Sequence, residues 1–407
     1  MKNGSLKSRK PEILWESVPS GRGPEYIPVS VLSRKAEVLE LAGFWNRAEA
    51  IYRDIYEIIA RLNWPAHLRI HLRQYALLLH RLNKLDMAWE VFSRLEMIAK
   101  EDGDPKTLAD TLSGYGIIQW RKGDLASAER NYLKAKEILQ ELGDEAGLSA
   151  IYNNLGVLYE NMGGYAQALE VYQKKKEIEE RREDLSGLSR LYNNLGIVYL
   201  HMDDLEKAEQ SFMKKLDLAK RMGDIYGQAT VLTNLGVLAR MRERYREALD
   251  RYQAARSLYL QLGELRTVEV TISLNMGNIY LDLGDWERAE SYFQASMKAA
   301  EKYGDRKTQG IGLYNLGKIE YQRGHIPEAV DLCSRASEIL ETISQPYYFM
   351  EALHYRAQLL FGLSRWNEVI PLLEKAIGLA EKLGKDQIKA ELEKMLPEAR
   401  RMSDADG

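Results

Sequence analysis

Three groups of residues have types and spacings that could do chemistry. The segment from Gly312 to Lys318 matches the first seven positions of a phosphate-binding loop, GxxxxGK. His67 and His71 are one helical turn apart, a spacing that can hold zinc. Cys333 is the single cysteine of the chain. These are the first candidates for a phosphate site, a metal site and a reactive thiol.

Each candidate lacks a residue that its chemistry requires. Ile319 stands where a Ser or Thr must reach magnesium, and no strand precedes the glycines. His80 lies about half a turn round the helix from His71, so no third zinc ligand is supplied locally. A lone cysteine forms neither an internal disulfide nor a thiolate cluster. No nucleophile-histidine-acid set stands out either, so we expect no catalysis, no cofactor and no metal.

Composition narrows the choice of partner. The 407 residues are 45% hydrophobic and 29% charged, with 57 Lys and Arg against 60 Asp and Glu. A formal charge of −3 gives no net positive field for a nucleic acid or an anionic membrane. No apolar stretch approaches the roughly 20 residues of a membrane span, and the N-terminus lacks the apolar core of a signal peptide. We therefore expect a cytoplasmic protein without nucleic-acid, membrane or small-molecule partners.

The elements that position any site are helices. No proline occurs between residues 106 and 326, in a stretch rich in Ala, Leu, Glu, Lys and Arg, and an interior proline would cost a helix about 3 kcal/mol. Four Gly-Asp pairs predict a C-terminal glycine of one helix followed by the N-cap of the next. They are Gly103-Asp104, Gly143-Asp144, Gly223-Asp224 and Gly304-Asp305.

The sequence repeats with a period of 40. Small residues recur at Ala36, Ala76, Gly116, Gly156, Gly196, Gly236, Gly277, Gly317 and Ala357, with one interval of 41. An alanine follows twelve residues after most of them, and a Tyr or Phe sixteen residues after. We expect the small residue to let two helices approach and the ring to fill the gap against the neighbouring hairpin. A fixed period of this length indicates a solenoid.

At these residues the chain resembles the tetratricopeptide repeat family, as in the block from Tyr152 to Tyr159 followed by Gly163-Gly164-Tyr165, Ala168 and Tyr172. Its long repeats are similar to those of kinesin light chain and Pins-type adaptors. The resemblance implies an all-α, right-handed superhelical solenoid of helical hairpins. We predict a flexible tail over residues 1–27, nine repeats over 28–384, a capping helix over 385–402 and a disordered end over 403–407.

In this family the first helices of successive repeats line a concave surface. Two residues before the small position stand five asparagines, Asn154, Asn194, Asn234, Asn275 and Asn315. Asparagine is a mediocre helix former, so five in register need a further cause. One interpretation is that each amide binds the backbone of an extended peptide, which the matching asparagines do in kinesin light chain and in Gram-positive peptide-pheromone receptors. The other is that each amide bonds to the adjacent hairpin.

Two further rows complete the predicted groove. One residue past the small position lie Val157, Ile197 and Val237, after which the row becomes polar at Asn278, Lys318 and Gln358. On the second helices, where the family usually has alanine, stand Lys175 and Lys215. The resemblance to Pins-type adaptors implies that these lysines meet acidic side chains of a ligand. The alternative is a solvated charged face, since long lysines lie easily over apolar surface.

We therefore predict a non-catalytic scaffold or adaptor that captures a peptide segment of a partner protein. The asparagines would hold the backbone, the apolar row would take hydrophobic anchors, and the lysines would contact acidic groups. The alternative function is a peptide-sensing regulatory module of a signalling or transcription system.

Overall fold

The computed structural model describes residues 29–41, 44–61, 69–343 and 346–406. All regular elements in these ranges are helical. The helices are α1 Val29–Leu41, α2 Trp45–Arg61, α3 Arg69–Arg81, α4 Leu85–Glu101, α5 Pro105–Arg121, α6 Leu125–Glu141, α7 Glu145–Asn161, α8 Tyr165–Arg181, α9 Leu185–His201, α10 Leu205–Met222, α11 Ile225–Met241, α12 Tyr245–Gln261, α13 Leu265–Thr267, a π-helical segment Val268–Ile272, α14 Ser273–Asp282, α15 Trp286–Tyr303, α16 Arg306–Gln322, α17 Ile326–Thr342, α18 Pro346–Gly362, α19 Trp366–Lys382 and α20 Asp386–Asp406.

The helices pair into antiparallel hairpins in chain order. The first helices are α1, α3, α5, α7, α9, α11, the α13–α14 stretch, α16 and α18. Within the two units, α1, α3, α7, α9, α11, α14, α16 and α18 each pack on the second helix that follows. The all-α class and the solenoid of helical hairpins predicted from the sequence are confirmed. The predicted tail over residues 1–27 lies outside the described residues.

The hairpin turns use the glycine and aspartate signals seen in the sequence. Gly223 ends α10 with φ at 67°, in the left-handed region that favours glycine. The next residue, Asp224, accepts a hydrogen bond from the Gly227 backbone N–H at 2.8 Å and so caps α11. The other three Gly-Asp pairs have the same positive φ and the same cap. The predicted caps are confirmed.

In the central repeats the small glycine lies beneath the ring of its own hairpin. A Cβ placed on Gly196 would overlap the ring of Phe212, and the same holds for Gly156 beneath Tyr172. The glycines at 236 and 277 meet their rings in the same way, and Gly317 meets Cys333. The register is therefore as predicted. The predicted packing of the ring against the neighbouring hairpin is also present, since Tyr52 stacks on Tyr75 and Phe92 meets Tyr115 edge to face. The ring packs across the first and second helix of one repeat.

The single interval of 41 residues has a structural cause. The extra residue is absorbed as a π-helical segment, Val268–Ile272, inside the first helix of the seventh hairpin. A π-turn disturbs the regular ladder, and two serines bond to its carbonyls. Ser273 Oγ donates to the Val268 oxygen at 3.3 Å, and the buried Ser296 Oγ donates to the Val270 oxygen at 2.7 Å. After the segment the repeat returns to register at Gly277.

The chain forms two compact units, divided between Ile118 and Gln119 within α5. The core of the first unit contains the fully buried Tyr52 and Phe92, and Tyr52 stacks on Tyr75 with ring centroids 6.2 Å apart. The second unit holds the hairpins from α6 onward.

The second unit curls back on itself. A Cβ on Gly163, in the turn after α7, would lie 3.4 Å from the backbone oxygen of Leu383, in the turn after α19. These turns are far apart in sequence, so the first helices between them line an enclosed inner side. The last helix, α20, covers α19 through the buried Leu392 and Ala399. It extends through Asp406, so residues 403–406 belong to this helix rather than to a disordered end.

In the described part of the chain, no helix combines the length and the apolar character that crossing a membrane requires.

Candidate functional site

The candidate site is the inner face of the second unit, which we define by the first-helix residues two before and one after each small residue. These positions are three residues apart and therefore share one side of a helix. On α7, α9 and α11 they hold an asparagine and an aliphatic residue. The aliphatic residues Val157, Ile197 and Val237 are all half-buried, so each keeps apolar surface exposed on this face.

The asparagines of the inner face bond to the preceding repeat. Asn194 Nδ2 donates to Asn153 Oδ1 at 3.2 Å, and Asn234 Nδ2 donates to Asn193 Oδ1 at 3.0 Å. In both pairs the bond joins first helices of neighbouring hairpins. Of the two interpretations open at the sequence level, the bond to the adjacent hairpin is thus present at these positions. Each bond uses one N–H of the amide, and Asn194 Oδ1 also accepts from Asn193 Nδ2 at 3.5 Å. The second N–H and a second lone pair of the oxygen provide further bonding capacity.

The asparagines of the later repeats differ in exposure. Asn315 is 5% exposed, and its Nδ2 donates to Asn278 Oδ1 at 2.8 Å. Asn275 is half-buried, as are Asn154, Asn194 and Asn234. The five asparagines therefore share a register but not an environment. Asn315 is the least accessible to a ligand.

Lys175 belongs to a buried cluster inside its own hairpin. Its side chain is 2% exposed, and its Nζ donates to Ser149 Oγ and to Glu179 Oε1, both at 2.9 Å. Ser149 Oγ also donates to Glu179 Oε1. Burial lowers the pKa of Lys175, and the contact with Glu179 partly offsets that effect. The predicted contact of Lys175 with acidic groups of a ligand does not fit this geometry, because its ammonium is already enclosed and paired.

Lys215 occupies the same repeat position on α10. It is 7% exposed, and its Nζ donates to Asn193 Oδ1 at 2.8 Å. Burial lowers its pKa from the ordinary value to about 8. Asn193 Oδ1 thus accepts from both Lys215 and Asn234, which joins the second helix to the asparagine ladder. A ligand does not meet this ammonium directly on the inner face.

The partners of these lysines were missed at the sequence level, although a signal exists. Four residues after Lys175 stands Glu179, where α10, α15 and α19 have Ala219, Ala300 and Ala380. A charged residue at a position that is otherwise apolar indicates a buried pair rather than a solvated face. The period used to find the lysines would also have found this glutamate.

A hollow of about 330 Å³ opens on the inner face between α7, α8 and α9. Its lining includes Ala146, Ser149, Ala150, Asn153, Asn154, Lys175, Glu179, Arg182, Asp184 and Arg190. The buried Lys175 and Glu179 form its floor. The exposed Arg190, six residues before the small Gly196, is the principal residue of this hollow that sequence reasoning missed.

The inner face changes character in the later repeats. Lys318 of α16 lies 4.6 Å from the ring centroid of Tyr314 and 5.8 Å from that of Tyr355. Arg240 binds Asp282 through two nitrogens, at 2.5 and 3.1 Å. Burial lowers the pKa of Lys318. The aliphatic row is replaced here by cations that lie on tyrosine rings or pair with acids.

A second pair of lysines brackets two adjacent tyrosines. Lys307 lies 5.4 Å from the centroid of Tyr348, and Lys385 lies 5.5 Å from that of Tyr347. The two rings meet edge to face, with centroids 5.3 Å apart. Contacts of this kind orient a lysine without neutralising its charge.

The three chemical candidates from the sequence have structural roles or lie outside the described residues. The segment from Gly312 to Lys318 lies inside the continuous helix α16, so it forms no phosphate-binding loop. His71 Nδ1 lies 3.3 Å from Gln74 Oε1, and His67 falls outside the described residues. Cys333 is fully buried beneath Gly317, and burial raises its pKa to about 12, which keeps it a thiol.

One group of potential metal ligands occurs in the described ranges. Oxygen and nitrogen atoms of Glu320, His325 and Glu328 lie within 4.8 Å of one another. Glu320 already pairs with Arg323 and with His325, both at 2.7 Å. His325 and Glu328 are exposed. Because a resident arginine supplies the positive charge, this group carries no metal proposal.

A larger hollow lies away from the inner face. It has a volume of about 1230 Å³ and lies at the ends of α9 to α12, with Met202, Asp204, Glu209, Arg242 and Arg251 in its lining. Its arginines are engaged, since Arg242 pairs with Glu209 at 2.5 Å and Arg251 with Glu247 at 3.3 Å. It presents an ion-paired edge of the hairpins rather than a ligand pocket.

Two family models match the chain. A model described as a MalT-like TPR region matches residues 181–376, and a tetratricopeptide repeat model matches residues 107–175. Among curated proteins, Protein KINESIN LIGHT CHAIN-RELATED 2 of Arabidopsis thaliana is 28% identical over 153 residues. That match covers 36% of this chain and 23% of the relative, so it spans less than a quarter of the relative's length.

Solved structures share the fold over most of the chain. A Rap protein complexed with Competence and Sporulation Factor has a TM-score of 0.60 at 17% identity and covers 88% of this chain and 98% of its own. Aspartyl phosphate phosphatase F from Bacillus subtilis has a TM-score of 0.57 at 16% identity, over 89% and 94%. The Rap conjugation gene regulator of plasmid pLS20, in complex with the Phr* peptide, has a TM-score of 0.54 at 17% identity, over 90% and 96%. At these identities the likeness concerns the fold.

Proposed function

The chain is a tetratricopeptide repeat protein, and from this premise we propose that it binds an extended peptide segment of a partner protein along the inner face of α7, α9 and α11. The repeats form a scaffold whose side chains on this face determine the partner. We propose no catalytic step for it, and the cytoplasm is its expected location.

The observation that carries the proposal is the half-buried aliphatic row. Val157, Ile197 and Val237 occupy one repeat position on three successive first helices, beside half-buried amides. A row of apolar side chains next to amide donors and acceptors suits an extended chain, which buries alternate side chains and needs partners for its backbone. A face that only contacts water would not need aliphatic residues at the same position of three consecutive repeats.

Fold similarity supports the same function. One of the structural neighbours is a complex with the Phr* peptide, and it covers 90% of this chain with a TM-score of 0.54. The asparagines Asn154, Asn194 and Asn234 remain the proposed backbone contacts, through the amide atoms that the bonds between hairpins do not use. Ile197, Val157 and Val237 remain the proposed anchors.

We further propose that the partner segment is acidic where it passes the later repeats. Lys307, Lys318 and Lys385 lie on tyrosine rings, and within the described ranges none of them has a carboxylate oxygen within 4.0 Å. Cations held in place but not neutralised favour acidic side chains of a ligand. We therefore propose that these three lysines, rather than Lys175 and Lys215, contact the acidic side chains of the ligand.

The test is a selection of random dodecamer peptides on the full chain, followed by binding titrations of the enriched peptide. Replacing Ile197 by Asn, the residue that the equivalent position has at 278, should weaken binding about tenfold, because a buried aliphatic contact is worth roughly 1.5–3 kcal/mol. A matched control is Leu260→Asn, an exposed residue of the second helix α12. Equal affinity of both variants, or a selection that enriches no peptide, would contradict the proposal.

A second candidate function is a peptide-sensing regulatory module. The observation that favours it is the likeness to the Rap conjugation gene regulator of plasmid pLS20, over 90% of this chain. In that case peptide binding should change the dimensions of the second unit, which a scaffold does not require. Small-angle scattering with and without the enriched peptide separates the two: an unchanged radius of gyration favours the scaffold.

A further inference from the structure

We infer that the hollow between α7, α8 and α9 holds one side-chain carboxylate of the bound peptide, and that Arg190 is the residue that recognises it. The inference rests on the proposed function and adds a position and a chemistry to it. It assigns the recognition of an acidic side chain in the early repeats to a first-helix arginine instead of the second-helix lysines.

Most charges around the hollow are already compensated. Lys175 and Glu179 pair at 2.9 Å in its floor, and Arg182 lies 3.6 Å from the second oxygen of Glu179. Asp184 caps α9 through the Gly187 N–H at 2.9 Å, and this bond lowers the pKa of Asp184. These acids therefore have cations or backbone donors of their own.

Arg190 is the cation of the hollow that has no carboxylate oxygen within 4.0 Å among the described residues, although its charge contributes to lowering the pKa of Asp184. Its Nη1 donates to Ser186 Oγ at 3.0 Å, one turn earlier on α9, and the side chain is exposed. The pKa of Lys175 is lowered mainly by burial and further by the positive charge of Arg190. The two cations are therefore close enough to interact. The hollow consequently presents one surplus positive charge.

The wall of the hollow supplies a neutral hydrogen-bond donor. Asn153 accepts the bond from Asn194 through Oδ1, which leaves its amide nitrogen as a donor on the inner face. A guanidinium and an amide N–H together match the two oxygens of a carboxylate. The buried Glu179, whose Oε2 has no hydrogen-bond partner among the described residues, opposes a doubly charged group. The chemistry therefore fits a single carboxylate better than a phosphate.

The position of Arg190 is specific to this repeat. Six residues before the small position no other repeat has a cation: the nearer repeats have Ala150, Thr230, Thr271 and Ile311, and Asp110 and Glu351 are acidic. A positive charge at this position therefore occurs in this repeat alone. A peptide with one acidic residue would therefore be fixed in register at this hollow, with its apolar residues along Val157, Ile197 and Val237.

The experiment uses the full chain and the dodecamer enriched on it, together with an analogue in which each Asp or Glu is replaced by Asn or Gln. Arg190→Gln should weaken binding of the acidic peptide about tenfold, as expected when a charge-assisted hydrogen bond is lost, and should leave the amide analogue unchanged. Arg130→Gln is the matched control, since the exposed Arg130 also donates to a serine, Ser127, at 2.7 Å on a second helix. This control should change neither affinity.

The outcomes distinguish the inference from the function on which it rests. Enrichment of peptides without an acidic residue, or an equal effect of Arg190→Gln on both peptides, would overturn the inference and leave peptide binding intact. A selection that enriches no peptide overturns both. Thermal melts of Arg190→Gln and Arg130→Gln should coincide, because both arginines are exposed and bond only to a serine of their own helix in the described structure.

Discussion

The inner face of α7, α9 and α11 differs from that of α14, α16 and α18, although the hairpins beneath them are built alike. The first stretch has half-buried aliphatic residues beside amides, and the second has Asn278, Lys318 and Gln358 with tyrosines around them. In both stretches a glycine lies beneath a ring, as Gly196 lies beneath Phe212 and Gly277 beneath Phe293. The packing that forms the repeat is therefore independent of the residues that face a ligand.

A second difference lies between the hairpins. At one position of the second helices α8 and α10 have Lys175 and Lys215, whereas α12, α17 and α19 have Ala255, Ala336 and Ala376. Each of the two lysines bonds to a polar residue on the first helix of its own repeat. The hairpins α7–α8 and α9–α10 thus have a buried ammonium at this position, whereas α12, α17 and α19 have close packing there and α15 has the buried hydroxyl of Ser296.

The largest effect should come from removing one partner of the buried pair. Lys175→Ala gives α8 the residue of α12 but leaves Glu179 buried without its ammonium, so we expect a loss of about 3–5 kcal/mol in the free energy of unfolding. Urea unfolding followed by circular dichroism measures it. The exposed Lys174, paired with Glu170 at 2.6 Å, is the matched control, and its alanine variant should lose no more than about 0.5 kcal/mol.

The double variant Lys175→Ala and Glu179→Ala tests the same idea from the other side. It reproduces the pair Ala376 and Ala380 of α19, both fully buried, and should recover most of the stability lost by the single change. If the double variant were less stable than Lys175→Ala alone, the difference between the early and late hairpins would not be one of paired charge.

The shared packing predicts equal losses in both stretches. Gly196→Ala and Gly277→Ala should each cost about 1–3 kcal/mol, since the added Cβ overlaps Phe212 or Phe293. Gly362→Ala is the control, because nothing lies within 4 Å of its Cβ position. Urea midpoints give the comparison. A large loss at one glycine and none at the other would show that the two stretches are packed differently.

The buried amine of Lys215 predicts a pH dependence. Its pKa is about 8 in the folded protein and near 10.5 when unfolded, so the unfolded chain binds more protons between these values and stability rises with pH. Relative to Lys215→Met, the unaltered protein should gain about 1–2 kcal/mol from pH 8 to 9.5. Denaturation midpoints at several pH values measure this gain. A constant difference between the two proteins would indicate an ordinary, solvated lysine.

The smallest stability effect is expected on the asparagine ladder. Asn194→Ala removes the bond to Asn153 Oδ1 and should cost about 0.5–1.5 kcal/mol of stability, the net value of a hydrogen bond. Melting temperature and affinity for the enriched peptide are measured on the same variant. If the free amide atoms also hold the peptide backbone, affinity should fall by a similar free energy. Unchanged affinity would assign this asparagine to the scaffold alone.

Much of the fold could be predicted because it depends on period and on small residues. The 40-residue repeat, the glycine beneath a ring and the Gly-Asp caps are local patterns, and the structure has all of them. The π-helical segment could not be predicted from the 41-residue interval alone, since an extra residue fits a loop as readily as a helix. The curl that brings Gly163 to Leu383 accumulates over several hairpins, and no single residue encodes it.

The candidate site was predicted less completely, for a physical reason. A charged residue at a repeat position can face solvent or a buried partner, and the choice depends on residues of another helix. Lys175 is buried because Ser149 and Glu179 are present, and Lys215 because Asn193 is present. Arg190 was missed because an arginine occurs at this repeat position only once, and the prediction relied on residues that recur from repeat to repeat. The aliphatic row was found because it recurs.

The most direct test of peptide capture on the inner face is photo-crosslinking of the enriched dodecamer to the full chain, with mass spectrometry of the crosslinked sites. We expect a benzophenone placed at an apolar position of the peptide to attach to α7, α9 and α11, close to Val157, Ile197 and Val237. Attachment confined to the second helices α8, α10 and α12, or to the hollow lined by Met202 and Arg251, would contradict the assignment of the inner face as the binding surface.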